Sequence, residues 1–201
     1  MARLALLGFT WQANGQVPHT YSNIAEQRLP DPRCNPDGIV TGPDGALWFA
    51  ETVGNKIGRI TAAWAVTEYP VPTANSEPSG IVAGPDGALW FTETGASRIG
   101  RITAEGDIME YSLPTAGSGP YGITVGPDGA LWFTQFNSNQ IGRITTGGSI
   151  SEYPIPTAGS WPVGIAGGPD GALWFTEEFG DQIRADHHRR SDHRVPGADR
   201  V

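Results

Sequence analysis

Gly42-Pro43-Asp44-Gly45-Ala46-Leu47-Trp48-Phe49 recurs unchanged at Gly84 to Phe91, at Gly126 to Phe133 and at Gly168 to Phe175, with a constant period of 42. A fixed period of roughly 40 to 50 residues marks an array of supersecondary units, each of which buries its core only against its neighbours. Working outward from the third copy, Gly122-Ile123-Thr124-Val125 is a short apolar run, ended by a Gly-Pro-Asp-Gly turn. Ala130 to Thr134 is a second run, rich in aromatics, and Gln140 to Thr145 a third. Ile150-Ser151-Glu152-Tyr153-Pro154-Ile155-Pro156 alternates apolar and polar, and its prolines, which cannot donate to a ladder, put this fourth strand at a sheet edge.

Four short strands per unit of this length predict an all-β protein, a β-propeller of four-stranded antiparallel blades. Helical or leucine-rich repeats would need helix formers where this unit has Gly, Pro and Thr. Trp48, Trp90, Trp132 and Trp174 fall at one position of successive blades and are expected to pack between them.

Three full copies occupy 38–73, 80–115 and 122–157, with half a copy at 164–183. Residues 1–37 are a degraded N-terminal part-blade, because Ile24 to Pro30 stands one period before Val66 to Pro72. About four to four and a half blades are thus present. Closed propellers carry roughly 4 to 8. The expectation is an open arc rather than a four-bladed ring, with apolar blade faces left at its ends that favour self-association.

After Ile183 the repeat stops, where Ile57-Gly58-Arg59-Ile60-Thr61 predicts Gly-Arg-Ile-Thr. One GC-rich back-translation of residues 184–201, read one base later, gives Gly-Arg-Ile-Thr-Thr-Ala-Gly-Ala-Ile-Thr-Glu-Tyr-Pro-Val-Pro-Thr-Ala, the missing half of the blade. Residues 184–201 therefore read as an out-of-frame tail. His187, His188 and His193, with Asp186 and Asp192, imitate a metal cluster and are products of that frame. His19, beside Pro18, reads as a loop residue.

The net charge is −8, from 13 basic and 21 acidic residues, and no basic stripe is present to track a phosphate backbone, so no nucleic acid is expected. Cys34 is the single cysteine, which excludes an intrachain disulfide and a Cys-based zinc site. The opening MARLALLGF is a weak secretory signal and no run is long enough for a membrane helix, so the chain reads as cytoplasmic, with no membrane partner.

In an up-and-down blade the end of the second strand lies beside the start of the first. This places Glu77 and Ser79 near Glu93, Asp37 near Glu51, Tyr121 near Gln135 and Val163 near Glu177 on one rim. Carboxylates on a rim suit a hard cation, though the plainer and favoured reading of Glu77 is a solvated loop residue. Glu51, Glu93 and Glu177 are read in the first place as strand-end carboxylates facing water or pairing with Arg59, Arg101 and Arg143. Tyr121 and Trp161 could face an aromatic, apolar ligand or cover a blade edge.

The motifs Pro-x-Gly-Ile, Gly-Pro-Asp-Gly-Ala-Leu-Trp-Phe-Thr-Glu, Asn-x-Ile-Gly-Arg-Ile-Thr and Glu-Tyr-Pro-x-Pro-Thr closely resemble those of the streptogramin B lyases, the virginiamycin B lyase family, over about residues 24 to 183. The resemblance implies a seven-bladed propeller that linearises cyclic depsipeptide antibiotics by a magnesium-dependent elimination at the ester linkage, without using water. It also implies antibiotic resistance as the outcome. The family's Glu-Pro-His-Gly-Ile motif is matched here by Glu77-Pro78-Ser79-Gly80-Ile81. By resemblance Glu77 and Glu93 are candidate magnesium ligands, and Ser79, Tyr121 and Trp161 line the substrate rim. No catalytic residue is identified, because Ser79 stands where the family has its acid/base histidine and Ser cannot supply a base near neutral pH. The family's catalytic histidines lie in later blades. Two other readings remain: a non-catalytic ligand- or protein-binding propeller, and a gluconolactonase-like metal hydrolase, whose Glu, Asn and Asp set these repeats do not display.

Overall fold

The computed structural model describes residues 3–7 and 24–186, and all of its regular structure is β. β1 (Arg3–Leu7) pairs antiparallel with β2 (Ile24–Arg28). Three four-stranded meanders follow. The first is β3 (Pro36–Thr41), β4 (Leu47–Glu51), β5 (Lys56–Ile60) and β6 (Val66–Pro70). The second is β7 (Pro78–Ala83), β8 (Leu89–Glu93), β9 (Arg98–Ile102) and β10 (Ile108–Ser112). The third is β11 (Pro120–Val125), β12 (Leu131–Gln135), β13 (Gln140–Ile144) and β14 (Ile150–Pro154). A fourth sheet holds three strands, β15 (Pro162–Gly167), β16 (Leu173–Glu177) and β17 (Gln182–Asp186). Each first strand packs on the next, β3 on β7, β7 on β11 and β11 on β15, which makes these sheets successive propeller blades. No helix among the described residues is long and apolar enough to cross a membrane.

The recurrent motifs are explained by how closely the blades approach. A Cβ on Gly80 would sit 2.3 Å from the Tyr121 carbonyl oxygen of the next blade, and one on Gly122 would sit 2.4 Å from that of Val163. Glycine in Pro-x-Gly-Ile is therefore what lets neighbouring first strands touch. Likewise a Cβ on Gly58, Gly100 or Gly142 would fall 2.1–2.2 Å from the ring of Phe49, Phe91 or Phe133, which lies flat over the third strand.

The Gly-Pro-Asp-Gly turn does more than reverse the chain. Asp44 accepts the indole N–H of Trp48 at 3.0 Å and the Nε–H of Arg59 at 2.6 Å, and the Asp86 and Asp128 copies do the same with Trp90 and Arg101 and with Trp132 and Arg143. Burial alone would raise the Asp44 carboxyl, but the hydrogen bonds from Trp48 and Arg59 outweigh it and hold it below its usual range. The tryptophans are buried and stack on the fourth-strand tyrosines, Trp48 on Tyr69 at 5.5 Å and Trp132 on Tyr153 at 5.6 Å. The recurrent arginines thus belong to the turn aspartates, not to Glu51, Glu93 and Glu177 as the sequence suggested.

At the N-terminal end β2 lies one period before β6 and is an outer strand by position, while β1 takes the place of a third strand. The connection from β1 to β2 spans 8–23, where the corresponding connection in the first full blade spans only 61–65, so the part-blade departs from the repeat by an insertion at that point. At the other end β17 runs to Asp186, past the point where the repeat sequence stops. Arg184 occupies the register of the obligatory glycine, opposite Phe175, as Gly142 is opposite Phe133. Its side chain reaches Glu177 at 2.5 Å and the Thr157 hydroxyl at 2.6 Å. His19, His187, His188, Asp192 and His193 lie outside the described residues.

Candidate functional site

Each first strand begins with a bulge. Pro36, Pro78, Pro120 and Pro162 register with Glu51, Glu93, Gln135 and Glu177, and the ladder then slips before the following Ile. A bulge re-aims the residue inside it. Here those residues are Asp37, Ser79, Tyr121 and Val163, at the strand starts where the rim was expected. Two positions upstream, Asn35, Glu77, Gly119 and Trp161 all have positive φ, between 50° and 61°. Gly119 fits such a backbone and Asn35 tolerates it. For Glu77 and Trp161 it is strained, and strain of this kind gathers at binding sites.

Trp161 is 39% exposed and is wedged between Phe136, at 5.5 Å, and Phe179, at 4.7 Å. Tyr121, 36% exposed, meets Phe136 edge to face at 6.3 Å. Tyr121, Phe136, Trp161 and Phe179 therefore form a continuous aromatic band across the third and fourth blades. The Tyr121 hydroxyl also faces Asp37 of the first blade; that negative charge, then burial and the hydrogen bond between them, push the phenol upward. The sequence reading placed Tyr121 and Trp161 on this rim and did not name Phe136 and Phe179, which pack against them. The signal was present: both lie in the turn between second and third strands, where the first blade has Thr52 and Val53 and the second has Thr94 and Gly95.

Ser79 departs from expectation. It is buried, and its hydroxyl is engaged by the Glu77 carbonyl at 3.1 Å and by Thr94 Oγ1 at 3.1 Å. A hydroxymethyl group is small enough to fold back under the strand above it, so Ser79 does not line the rim surface. The two expected magnesium ligands differ in exposure. Glu77 is exposed on the crossover, but Glu93 is enclosed, with both carboxylate oxygens cut off from solvent. Burial, then the charge and hydrogen bond of Glu110, push the Glu93 carboxyl to about 8, with Arg98 pulling the other way. Glu51 is pushed to about 7 by burial and then by Glu68. These strand-end glutamates do not face water.

The third blade shows what the enclosed position requires. There Gln135 donates its amide to Glu152 at 3.0 Å. Glu152 and Glu110 in turn hold the preceding crossover through the Thr115 hydroxyl at 2.7 Å and the Thr73 hydroxyl at 2.9 Å. Magnesium keeps several waters and takes carboxylates that are free to reach it. Glu93 is not, and no group of three or more His, Cys, Asp or Glu placed to hold a metal occurs among the described residues.

The virginiamycin B lyase family model matches residues 5–189, beginning well before the motifs that carry the resemblance. Among solved structures the chain is similar to a selenomethionine-substituted virginiamycin B lyase from Staphylococcus aureus, with 47% identity, a TM-score of 0.78, and coverage of 82% of this chain and 59% of that one. It is similar also to a catalytically inactive His-to-Ala variant of the Staphylococcus aureus enzyme with quinupristin, with 50% identity, a TM-score of 0.79, and coverage of 80% and 55%. The chain spans little more than half the length of these structures. A putative gluconolactonase, 17% identical with a TM-score of 0.62, shares the fold alone. No curated protein sequence matches the chain.

Proposed function

The chain belongs to the virginiamycin B lyase family, and from that membership we propose that it is part of a propeller built for magnesium-dependent eliminative opening of cyclic streptogramin B antibiotics. We further propose that these blades hold the antibiotic and do not themselves break it. The observation that carries this reading is the occupancy of the bulge. The four Pro-x-Gly-Ile copies present Asp37, Ser79, Tyr121 and Val163, and none presents an imidazole. An elimination needs a group that removes a proton near neutral pH. Ser79 is locked to a carbonyl and a hydroxyl, and Glu51 and Glu93, pushed up to about 7 and about 8, are enclosed with their carboxylate oxygens out of reach of a ligand on the rim.

The aromatic band is suited to an apolar ring system laid across the rim, with Trp161 as its centre. Magnesium, in the complete ring, would supply Lewis-acid stabilisation of the departing carboxylate. Of the two candidate ligands only Glu77 is free to approach it.

The test is to incubate the folded chain with quinupristin and magnesium, following tryptophan fluorescence for binding and mass spectrometry with chromatography for the linear product. Saturable quenching without product is expected. Linear product would show that a base on these blades suffices and would overturn the reading. Absence of quenching by a chain with a native β-sheet circular dichroism spectrum would remove the binding role.

A further inference from the structure

Phe136 stands where the scaffold would be better served by threonine. Thr52 and Thr94, its counterparts in the first two blades, donate their hydroxyls to the Pro78 and Pro120 carbonyls of the following blade at 2.9 and 2.7 Å. Phe136 forgoes that bond to the fourth blade. Its ring lies where a Cβ on Gly119 would meet it at 2.9 Å, so the glycine at the left-handed position is what makes room for it. The third blade thus gives up an inter-blade hydrogen bond and a side chain in order to place an aromatic ring on the rim.

That ring is the floor of a recess. Tyr121 stands at 83° to it with centroids 6.3 Å apart, and Trp161 at 64° with centroids 5.5 Å apart. Phe136 is half-buried while Tyr121 and Trp161 are exposed, so two upright rings rise from it toward solvent. Phe179, tilted by 32° at 4.7 Å, covers one face of the indole. The charge around the recess has one sign. The Asp37 carboxylate faces the Tyr121 hydroxyl, and Glu77 is exposed at the left-handed position of the second blade. In all four blades the bulge, the left-handed position and the turn between second and third strands are without Lys or Arg. Lys56 and Arg98, which begin the third strands of the first two blades, are held by Glu68 and Glu110 at 2.6 and 3.4 Å. Arg33 lies on the crossover into the first blade, two blades away from Phe136.

We propose that Tyr121, Phe136 and Trp161 form an aromatic cage for an alkylated ammonium group, the positive end of a ligand whose apolar body lies along the band. The faces of aromatic rings carry negative potential and attract a cation, most of all one whose hydration is weak enough to be shed. An alkylated ammonium meets that condition, whereas a primary ammonium is strongly hydrated. Asp37 adds its charge at the Tyr121 wall. A neutral group of the same shape fills the recess without this attraction, so the cage selects on charge. The inference rests on the reading of the band as a ligand site and adds to it the class of group that the site takes.

The experiment uses the full chain and two probes of equal shape: choline, and its neutral isostere in which a tert-butyl group replaces the trimethylammonium. Binding is followed by the line widths of the probes' methyl protons in NMR titrations, with circular dichroism to confirm that each variant is folded. Choline is expected to bind on the order of tenfold more tightly than the isostere. Trp161→Leu should lower choline affinity about tenfold and that of the isostere by no more than about threefold, because the apolar contact is kept and the ring face is lost. Asp37→Asn should lower choline affinity about threefold and leave the isostere unchanged. If Trp161→Leu loses the native spectrum, Tyr121→Leu makes the same comparison at the other wall. Equal binding of the two probes overturns the cage and leaves the band as an apolar ligand site. So does choline binding that Trp161→Leu leaves intact. Absence of choline binding at tens of millimolar also overturns it, and quinupristin quenching in the same sample then tells whether the band as a ligand site falls with it.

Discussion

Ser97 holds the second blade to the third with less than its counterparts use, and replacing it with asparagine should stabilise the protein. Asn55 donates to the carbonyls of Val71 at 3.1 Å and Thr73 at 3.0 Å, and accepts from the Ser76 N–H at 2.7 Å and hydroxyl at 2.9 Å. Asn139 repeats all four bonds with Ile155, Thr157 and Ser160. Ser97, at the same place, accepts one bond, from the Ser118 N–H at 3.1 Å, and the buried Ser118 hydroxyl has no partner. Ser97→Asn should therefore add three hydrogen bonds and satisfy a buried hydroxyl. At about 1 kcal/mol net for each, less the entropy of fixing a longer side chain, the gain is about 2 kcal/mol. The backbone also favours the change, since φ at Ser97 is 52° and Asn adopts that region more readily than Ser. For a chain of this size the gain corresponds to about 4–8 °C in Tm. Urea unfolding followed by tryptophan fluorescence measures it, with Asn139→Ser expected to lose a comparable amount. An unchanged or lowered midpoint for Ser97→Asn, with Asn139→Ser destabilised, would refute the equivalence of the three sites.

Ala50 interrupts a second relay: Thr92 and Thr134 accept from Gly80 and Gly122 at 2.9 Å and donate to the Tyr121 and Val163 carbonyls at 2.8 and 2.9 Å. Ala50→Thr should recreate that bridge between Gly38 and Ser79 and raise the urea midpoint, by about 1 kcal/mol in stability. Gly100→Ala should cost about 3 kcal/mol, because its methyl would lie 2.1 Å from the buried Phe91 ring; a cost below about 0.5 kcal/mol would show that the ring can move aside. Glu93 gives a pH dependence whose sign follows from its raised carboxyl, 4.5 when free and about 8 in the fold. Between those values the folded state holds a proton that the unfolded state has released. Stability therefore falls as pH rises through that window and levels off above it. Glu93→Gln should remove a slope of about 1.4 kcal/mol per pH unit between about pH 5 and 8, seen as urea midpoints that vary less with pH than those of the parent.

The scaffold could be read from the sequence because period 42 and period 2 reinforce each other. The strand expected from Gly122 to Val125 is Pro120–Val125, and that expected over Gln140 to Thr145 is Gln140–Ile144. The edge position inferred from Pro154 is where β14 lies. The rim was less legible for a physical reason. Alternation assigns a face only while the register holds, and the Pro-x-Gly-Ile bulge breaks it at the residue in question, so pattern could not tell a buried Ser79 from an exposed Tyr121. Charge was misassigned for a related reason. Arg59 and Glu51 look like natural partners along the sequence, but Glu51 stands opposite Lys56 at the far end of the strand pair, while Trp48, opposite Arg59, places that arginine over its ring and beside Asp44.

What the repeat leaves variable locates its function. Gly80, Gly100, Asp86 and Trp90 recur because a neighbouring carbonyl, an overlying ring or a shared hydrogen bond admits nothing else at those positions. The bulge residue and the left-handed residue two places before it are under no such demand, and there the copies diverge: Asp37, Ser79, Tyr121 and Val163 at one, Asn35, Glu77, Gly119 and Trp161 at the other. Strain tolerated at Glu77 and Trp161, where the equivalent Gly119 relaxes without loss of the blade, has no structural return within the scaffold. Under the function proposed above, ligand recognition is the use for it. Under that proposal, what this rim offers a ligand is an aromatic band, to which the two variable positions contribute Tyr121 and Trp161 and the turn after the second strand contributes Phe136 and Phe179.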